Sequence, residues 1–240
     1  MKRISLFILN SIFILILTSI ACSPLKSSDE KGKTIKILSY NVRNCRGMDD
    51  IIEYRRVANL ITRVAPDVVA LQELDSATLR STGVVVLNEL ASLTGMYKTY
   101  GASIEYQGGK YGIGILTKEK PIQWEVVALP GREERRSLLI VELKKYVICC
   151  THFSLTEEDR IASVEIINSA LKKFSKPIFL AGDFNASPES PVIKSVENSW
   201  DILNNPEKPT IPSSNPQRCI DYIFAANFNG HNFETIQTIV

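Results

Sequence analysis

From residue 34 onward, short apolar runs alternate with amphipathic stretches, and this alternation predicts a domain of mixed strands and helices. Residues 67–72 (DVVALQ) form a nearly continuous apolar run, which is typical of a strand buried on both faces. Residues 49–65 instead repeat their apolar positions at helical spacing, and Pro66 ends that predicted helix. Further strands are predicted at residues 35–40, 97–104, 112–117, 122–129, 137–143, 146–151, 177–181 and 219–225, and further helices at 87–95 and from Thr156, where Asp159 completes a capping-box pattern.

The order of these elements favours stacked layers of sheet and helix over a doubly wound nucleotide-binding fold. The glycine-rich segment 108–114 (GGKYGIG) lacks the Lys-Ser/Thr pair and the following helix of a phosphate loop, so we interpret it as a hairpin and strand. Residues 204–218 contain four prolines and are predicted to form a loop. Because neither repeats nor an internal linker interrupt the pattern, we expect residues 34–240 to form one domain.

The first 21 residues have the layout of an export signal: two basic residues, an uncharged apolar stretch and small residues at a cleavage site. Cys22 follows directly and resembles the lipidated cysteine of a bacterial lipoprotein, although Ser19 stands where Leu is usual. A plain secretory signal and an uncleaved anchor are the alternatives. We therefore expect a signal peptide over residues 1–21, a tether over residues 22–33, and a protein that is lipid-anchored to the bacterial cell envelope, periplasmic or secreted.

Composition narrows the class of protein. The chain has 240 residues, of which 45% are hydrophobic and 22% charged, and these values exclude a disordered chain and a multi-span membrane protein. The formal net charge is +2, but without the predicted signal 26 basic groups face 26 acidic ones. A tight, sequence-independent nucleic-acid binder usually carries a basic excess, so this balance argues weakly against one.

The five cysteines have no C-x-x-C spacing, which argues against a thiolate zinc site. Cys149 and Cys150 are adjacent in a predicted strand and should point to opposite faces of its sheet. Besides Cys22, the remaining cysteines are Cys45 and Cys219. These cysteines have two interpretations. They are small residues buried in the core, or two of them form a disulfide in an oxidising compartment.

Polar residues suited to metal and phosphate follow the predicted strands: Asn41, Glu73, His152, Asp183 and Asn185. A further carboxylate, Asp221, begins the last one. Polar groups after buried runs tend to lie at the carboxyl ends of strands, where α/β proteins bind ligands. Each residue has an ordinary structural alternative, such as a turn cap, a surface carboxylate or a structural histidine, but these alternatives do not explain the set together.

Five motifs occur in a fixed order: SYNVR at 39–43, PDVVALQE at 66–73, CTHFS at 150–154, GDFN at 182–185 and IDYIF at 220–224. This ordered set resembles the endonuclease/exonuclease/phosphatase superfamily, whose members include deoxyribonucleases, apurinic endonucleases, neutral sphingomyelinases and inositol polyphosphate phosphatases. The resemblance implies a four-layer α/β/β/α sandwich, in which two packed mixed β-sheets are flanked by helices. It also implies a site at one end of the paired sheets.

The resemblance implies a metal-dependent hydrolase of phosphate esters. Mg²⁺ or Mn²⁺ would be held mainly by Glu73, with Asn41 nearby on the metal or the phosphate, and would act as a Lewis acid. The substrate is expected to be a nucleic acid, a phospholipid head group, or a sugar or inositol phosphate. We expect the protein to be a monomer, with a membrane contact through the lipid at Cys22.

The remaining roles also follow from the resemblance. Asp183 and Asn185 would orient the attacking water and bind the phosphate, and His152 would stabilise developing charge or protonate the leaving group. Asp221 matches an aspartate that holds a catalytic histidine in its correct tautomer. Arg136, in the segment GREERRSLL, is a weaker candidate for phosphate binding, and a solvated charge at a strand end is its alternative.

The chain departs from the family pattern at its C-terminus. The family ends with a Ser-Asp-His segment whose histidine is the general base, whereas the histidines here are His152 and His231. Gly230 precedes His231, which we interpret as a loop residue. The domain is therefore expected to be C-terminally incomplete, either as a truncated form of an active enzyme or as a naturally weakened homologue. Loss of a general base costs about 10²–10⁴-fold in rate, so we expect impaired hydrolysis.

Two functions from different classes remain. The first is an extracytoplasmic metal-dependent phosphodiesterase or phosphatase. The second is an inactive pseudoenzyme that binds a phosphorylated ligand at the cell surface. A purely structural lipoprotein would leave the polar residues at the strand ends unexplained.

Overall fold

In the computed structural model, residues 34–226 are described. The predicted signal peptide, Cys22, the tether, His231 and the C-terminal stretch lie outside these residues. The strands are β1 (Ile37–Asn41), β2 (Val68–Ser76), β3 (Tyr97–Tyr106), β4 (Gly109–Thr117), β5 (Gln123–Leu129), β6 (Arg136–Glu142), β7 (Val147–His152), β8 (Ile178–Asp183), β9 (Asp201–Ile202) and β10 (Asp221–Ala226). The helices are α1 (Tyr54–Val64), α2 (Val86–Thr94), α3 (Glu157–Leu171) and α4 (Pro191–Glu197).

The strands form two mixed sheets. One has four strands in the order β1-β2-β4-β3, and the other has six in the order β5-β6-β7-β8-β10-β9. β1 and β2 run parallel, as do β7 and β8, while the remaining neighbours run antiparallel. Asn41, His152 and Asp183, three of the polar residues that the sequence singled out, are the last residues of three of these parallel strands.

Three apolar layers hold the molecule together. One packs α1 and α2 on the four-stranded sheet, one fills the space between the sheets, and one packs α3 and α4 on the six-stranded sheet. The arrangement is the predicted four-layer α/β/β/α sandwich. Cys149 faces the helix layer and Cys150 faces the layer between the sheets, as the strand period requires. The four described cysteines, residues 45, 149, 150 and 219, are free.

The first predicted helix begins later than expected, at Tyr54 rather than residue 49. The Asp49 side chain accepts a hydrogen bond from the Ile51 amide at 3.1 Å, and Asp50 has a left-handed φ of 58°. These features form a turn that competes with helix. Glu53 then caps the helix by accepting from the Arg55 amide at 2.9 Å.

The expected capping box at Thr156 is wrong. α3 does begin directly after Thr156, but the Thr156 side chain makes no capping hydrogen bond. Asp159 instead accepts from the Arg132 amide at 2.9 Å, so its carboxylate ties the loop before β6 to the helix. Two short elements, α4 and β9, were not predicted. Of the helices in residues 34–226, none is long and apolar enough to cross a membrane.

Candidate active site

The four-stranded sheet contributes Asn41 and Glu73. Both residues were predicted to follow their strands, whereas Asn41 is the last residue of β1 and Glu73 lies within β2. The β2–β4 pairing shifts register between Leu71 and Leu74, and Glu73 has a left-handed φ of 59°. This β-bulge at Glu73 is a strained conformation for a non-glycine residue, and bulges of this kind re-aim side chains next to active sites.

The six-stranded sheet contributes His152, Asp183 and Asp221. His152 ends β7 and Asp183 ends β8, and the two are direct partners in the parallel register. Asp221 begins β10 and is the antiparallel partner of Asp183. Regular strand pairing alone therefore aligns these three side chains in one row.

The Asn41 amide joins the two sheets. Its Nδ2 donates to Glu73 Oε1 at 2.8 Å and to Asp183 Oδ2 at 3.2 Å. Its Oδ1 accepts from the Arg43 amide at 3.1 Å. The residues that the motifs predicted as a set thus converge, although 142 positions separate Asn41 from Asp183 in the chain.

Asn185 organises the segment that follows His152. Its backbone has a left-handed φ of 47°, and its side-chain Nδ2 donates to the Phe153 carbonyl at 2.9 Å. Its backbone N–H donates to Asp183 Oδ1 at 3.0 Å. This backbone-to-carboxylate hydrogen bond forms an Asx turn, and the turn fixes the Asp183 carboxylate.

Burial shifts the titration of the row on the six-stranded sheet. Burial, aided by the Arg136 charge, lowers the pKa of His152 to about 4, so the imidazole is neutral at pH 7. Its Nε2 lies 3.7 Å from Asp183 Oδ2, and this contact is not an ion pair at neutral pH. Burial raises the pKa of Asp183. Burial and the neighbouring Asp183 raise the pKa of Asp221 to about 7.

Arg136 is not a solvated charge, since only 7% of the residue is exposed. Its Nη1 lies 3.1 Å from Glu134 Oε1 and its Nη2 lies 3.4 Å from Glu133 Oε1, while its buried Nε has no partner. The positive charge of Arg136 also acts to lower the pKa values of His152 and Asp183.

Glu133 and Glu134 were missed by the sequence reasoning. Glu133 accepts from the Leu155 amide at 2.8 Å and from Ser154 Oγ at 2.9 Å, which holds the segment after His152. Burial opposes ionisation of Glu133, but these hydrogen bonds outweigh it and lower its pKa to about 2. Burial raises the pKa of Glu134. The adjacent Glu-Glu pair before Arg136 was the available sequence signal.

The donor set suits a hard cation. Glu73 supplies a carboxylate and Asn41 an amide, and Mg²⁺ is commonly held by one or two carboxylates together with substrate oxygens. In the described part of the chain there is no cluster of three or more His, Cys, Asp and Glu side chains arranged as a metal site. Glu73 and Asn41 are the residues here that could hold such an ion, and substrate and water oxygens would fill its other positions.

Comparisons with known proteins agree with this geometry. The family model described as "Endonuclease/Exonuclease/phosphatase family" matches residues 38–231. The rat (Rattus norvegicus) tyrosyl-DNA phosphodiesterase 2 is 23% identical over 208 residues, covering 79% of this chain and 53% of that protein. The chain thus spans about half the length of this curated relative.

Solved structures show the same fold. An endonuclease/exonuclease/phosphatase from Beutenbergia cavernae superposes with a TM-score of 0.67 at 22% identity, covering 80% of this chain and 64% of that one. A mannosyl-6-phosphatase from Bacteroides thetaiotaomicron superposes with a TM-score of 0.62 at 16% identity, and the match covers 80% of this chain and 85% of that one.

Proposed function

The chain belongs to the endonuclease/exonuclease/phosphatase family, and from this premise we propose that it is a metal-dependent hydrolase of phosphate esters that acts outside the cytoplasm. The observation that carries the proposal is the Asn41 amide, which bonds Glu73 of one sheet and Asp183 of the other. A carboxylate, an amide and a second carboxylate converge at the strand ends, and these are the groups that a phosphoryl-transfer site needs.

Glu73 would hold Mg²⁺ or Mn²⁺ through its carboxylate, with Asn41 on the metal or the phosphate. When bound there, the ion supplies Lewis-acid polarisation of the phosphoryl oxygen. The Asn41 side chain is itself oriented by the Arg43 amide, which donates to Oδ1 at 3.1 Å. This bond leaves Nδ2 directed at Glu73 and Asp183, so Asn41 holds both carboxylates at a defined spacing.

Asp183 and Asn185 would orient the attacking water and the phosphate. The Asp183 carboxylate is fixed by the backbone N–H of Asn185 and by Asn41, so it offers acceptor positions in a pre-set direction. His152 stands next to it in register. Burial keeps the His152 imidazole neutral at pH 7. We therefore infer that it donates an N–H hydrogen bond to a charged phosphoryl oxygen and does not act as a protonated imidazolium.

Arg136 and Asp221 would support this centre from either side. The buried Arg136 guanidinium, which pairs with both Glu133 and Glu134, would donate hydrogen bonds to the phosphate. Asp221 lies beside Asp183 in the β8–β10 register, and the resemblance assigns it a histidine partner.

The substrate class and the location are also part of the proposal. The matched relatives have names that refer to a tyrosyl-DNA phosphodiester and to a mannosyl 6-phosphate. A phosphate ester, rather than a particular one, is therefore proposed for this chain. Export and lipidation at Cys22 rest on the sequence pattern alone, and an unchanged gel mobility after globomycin treatment of the producing cells would exclude the lipid.

The test is hydrolysis of bis-p-nitrophenyl phosphate by the full chain, with Mg²⁺ and with EDTA. We expect turnover that EDTA abolishes and that Glu73→Ala loses. Glu89→Ala is the matched control, because Glu89 is an exposed carboxylate of α2 and is not one of the predicted site residues. Turnover that persists in EDTA and in Glu73→Ala would overturn the proposal. Phosphate binding without turnover would instead identify a pseudoenzyme.

A further inference from the structure

The far end of the sandwich, opposite the candidate active site, is the end at which β1, β2, β7 and β8 begin. Strand pairing brings the β4–β5 and β6–β7 turns to this end, since Thr117 pairs with Val68 and Glu142 pairs with Val147. The helices α1, α2 and α3 also end here, because each leads into a strand that begins here. One surface of the molecule is therefore built from several separate turns.

An apolar corner is exposed at the far end, where the edge strand β5 begins. Ile122 is 60% exposed, Trp124 58% and Val126 39%. Trp124 pairs with Val141, which packs between the sheets, so the Trp124 ring points to that same face of the six-stranded sheet. β5 is the outermost strand of its sheet, and this part of its inner face stays in solvent. Contiguous apolar exposure of this kind marks a contact surface.

Lysines stand directly beside this corner. Lys120 lies two residues before Ile122, and Lys144–Lys145 form the turn between β6 and β7. The Ile122 N–H donates to the Glu142 carbonyl at 2.9 Å, and the Lys144 N–H donates to Glu119 Oε1 at 3.2 Å. These backbone bonds hold the two turns side by side and leave the lysine side chains exposed.

The whole far end has an excess of positive charge. Within residues 34–226, six exposed cations at this end make neither an ion pair nor a side-chain hydrogen bond: Arg63, Lys98, Lys120, Lys144, Lys145 and Lys172. Three acidic residues here are already paired with other lysines, namely Asp67, Glu125 and Glu142. Glu119 and Asp201 are the further acids. Near the candidate site, exposed apolar residues are instead accompanied by acids, as in residues 48–51 (MDDI) and 155–158 (LTEE).

A bilayer with anionic head groups matches this combination of groups. Tryptophan favours the boundary between lipid and water, and each lysine near an anionic lipid surface strengthens binding about fivefold. Single-stranded nucleic acid would also attract the lysines, but it is bound by stacking on successive aromatic rings, whereas Ile122 and Val126 are aliphatic. A nucleic acid bound here would also lie at the opposite end from the candidate catalytic residues.

We propose that the far end binds the surface of an anionic lipid bilayer through Ile122, Trp124 and the surrounding cations, so that the candidate active site points away from the membrane. β1 begins at this end, and the predicted tether of residues 22–33 precedes it in the sequence. Twelve residues span at most about 40 Å, so a lipid at Cys22 would keep this surface at a high effective concentration near the bilayer. The inference does not depend on the proposed phosphate-ester chemistry.

The first experiment measures co-sedimentation with vesicles of equal parts phosphatidylglycerol and phosphatidylcholine, and with vesicles of phosphatidylcholine alone. The full chain is used, with Cys22→Ala in every variant, so that no lipid is attached and residues 1–33 contribute equally. We expect Lys144→Gln/Lys145→Gln to bind the anionic vesicles about 25-fold more weakly.

Arg55→Gln/Lys110→Gln is the matched control. It also removes two exposed cations, but Arg55 begins α1 and Lys110 pairs with Ser76, so both lie towards the candidate site. Charges further from the bilayer than the screening length of about 10 Å contribute little, so this variant should bind like the parent.

The second experiment measures orientation with a natural probe. The chain has two tryptophans, and Trp200 is only 6% exposed, so Trp124 is the one that can contact lipid. Lipids with brominated acyl chains quench the emission of a tryptophan that they contact. We expect quenching in the parent and in Trp200→Phe, and none in Trp124→Phe.

The proposal is overturned if the parent shows no preference for anionic vesicles, or if brominated lipids leave Trp124 emission unchanged while the chain is bound. It is also overturned if the Arg55/Lys110 control loses as much binding as the Lys144/Lys145 variant. Tighter binding to a single-stranded oligonucleotide than to anionic vesicles would identify a nucleic-acid interface in its place. Hydrolysis of bis-p-nitrophenyl phosphate, which tests the proposed function, is read separately.

Discussion

The two sheets supply the candidate site in different ways. The four-stranded sheet aims Glu73 with an irregular backbone, namely the bulge in β2 and its φ of 59°. After Asn41 the chain continues through three successive left-handed residues, Arg43–Cys45, with φ values of 46°, 52° and 58°. The six-stranded sheet uses regular strand ends instead, and the row formed by His152, Asp183 and Asp221 follows from register.

The two sheets therefore lose stability at the site for two different physical reasons. On the four-stranded side the cost is backbone strain, at about 1–3 kcal/mol for each left-handed non-glycine residue. On the six-stranded side it is the burial of ionisable groups, which shifts their pKa values. The first side should therefore respond to backbone changes, and the second to pH.

The largest effect is expected at the bulge. Glu73→Gly should reduce phosphate-ester hydrolysis by about 10³-fold, because it removes the carboxylate proposed to hold the metal. Since glycine adopts a left-handed φ without strain, the free energy of unfolding should stay the same or rise by about 1 kcal/mol. Hydrolysis rates and urea titration measure the two quantities.

Glu89→Gly is the control for that variant. It lies on the exposed face of α2, where glycine costs about 1 kcal/mol of stability and activity should be kept. If Glu73→Gly destabilised the chain as much as Glu89→Gly does, the bulge would not be strained.

The next effect concerns the row on the other sheet. His152→Leu should lower the hydrolysis rate by about 10²-fold, since it removes a buried N–H donor beside Asp183. The KM should change little if His152 acts on developing charge rather than on ground-state binding. A variant with the parent rate would remove His152 from the mechanism.

The pH dependence of stability should separate His152 from Asp221, two of the three residues in that row. The folded pKa of His152 is about 4, below its usual value, because burial favours the neutral imidazole. The unfolded chain therefore takes up a proton at this residue first, and the folded state loses stability as pH falls from 6.5 towards 4. The folded pKa of Asp221 is about 7, above its usual value, because burial favours the protonated carboxyl. The unfolded chain releases this proton first, so the folded state loses stability as pH rises from 4 towards 7. In EDTA, His152→Gln should remove the loss of stability as pH falls from 6.5 towards 4, and Asp221→Asn should remove the loss as pH rises from 4 towards 7. Two variants with identical pH profiles would contradict these assignments.

The smallest effect is expected at Glu133, which holds the segment after His152. Its folded pKa of about 2 lies below the usual value, so its stabilising contribution is complete above pH 4.5 and is lost as pH falls towards 2. Glu133→Gln should cost about 1–2 kcal/mol at pH 7 and flatten that acid slope. Glu158→Gln, at an exposed carboxylate, should change stability by less than about 0.5 kcal/mol.

The sequence predicted most of the fold because its strands are short, apolar and evenly separated. It also predicted which polar side chains meet, since the motifs carry Asn41, Glu73, His152, Asp183 and Asp221 in order. It did not predict the bulge at Glu73, because a register shift depends on the partner strand β4. Nor did it predict that Arg136 is buried, because that burial depends on Glu133 and Glu134 in a loop without periodic pattern.

The four described thiols have a practical consequence for measuring these effects. All are buried, and burial raises the pKa values of Cys45 and Cys150 to about 12, so almost no reactive thiolate exists at neutral pH. Cys149 and Cys150 also point into different apolar layers, so both layers must open before both react. The rate at which these thiols are alkylated therefore measures how often the sandwich opens, and no engineered probe is needed.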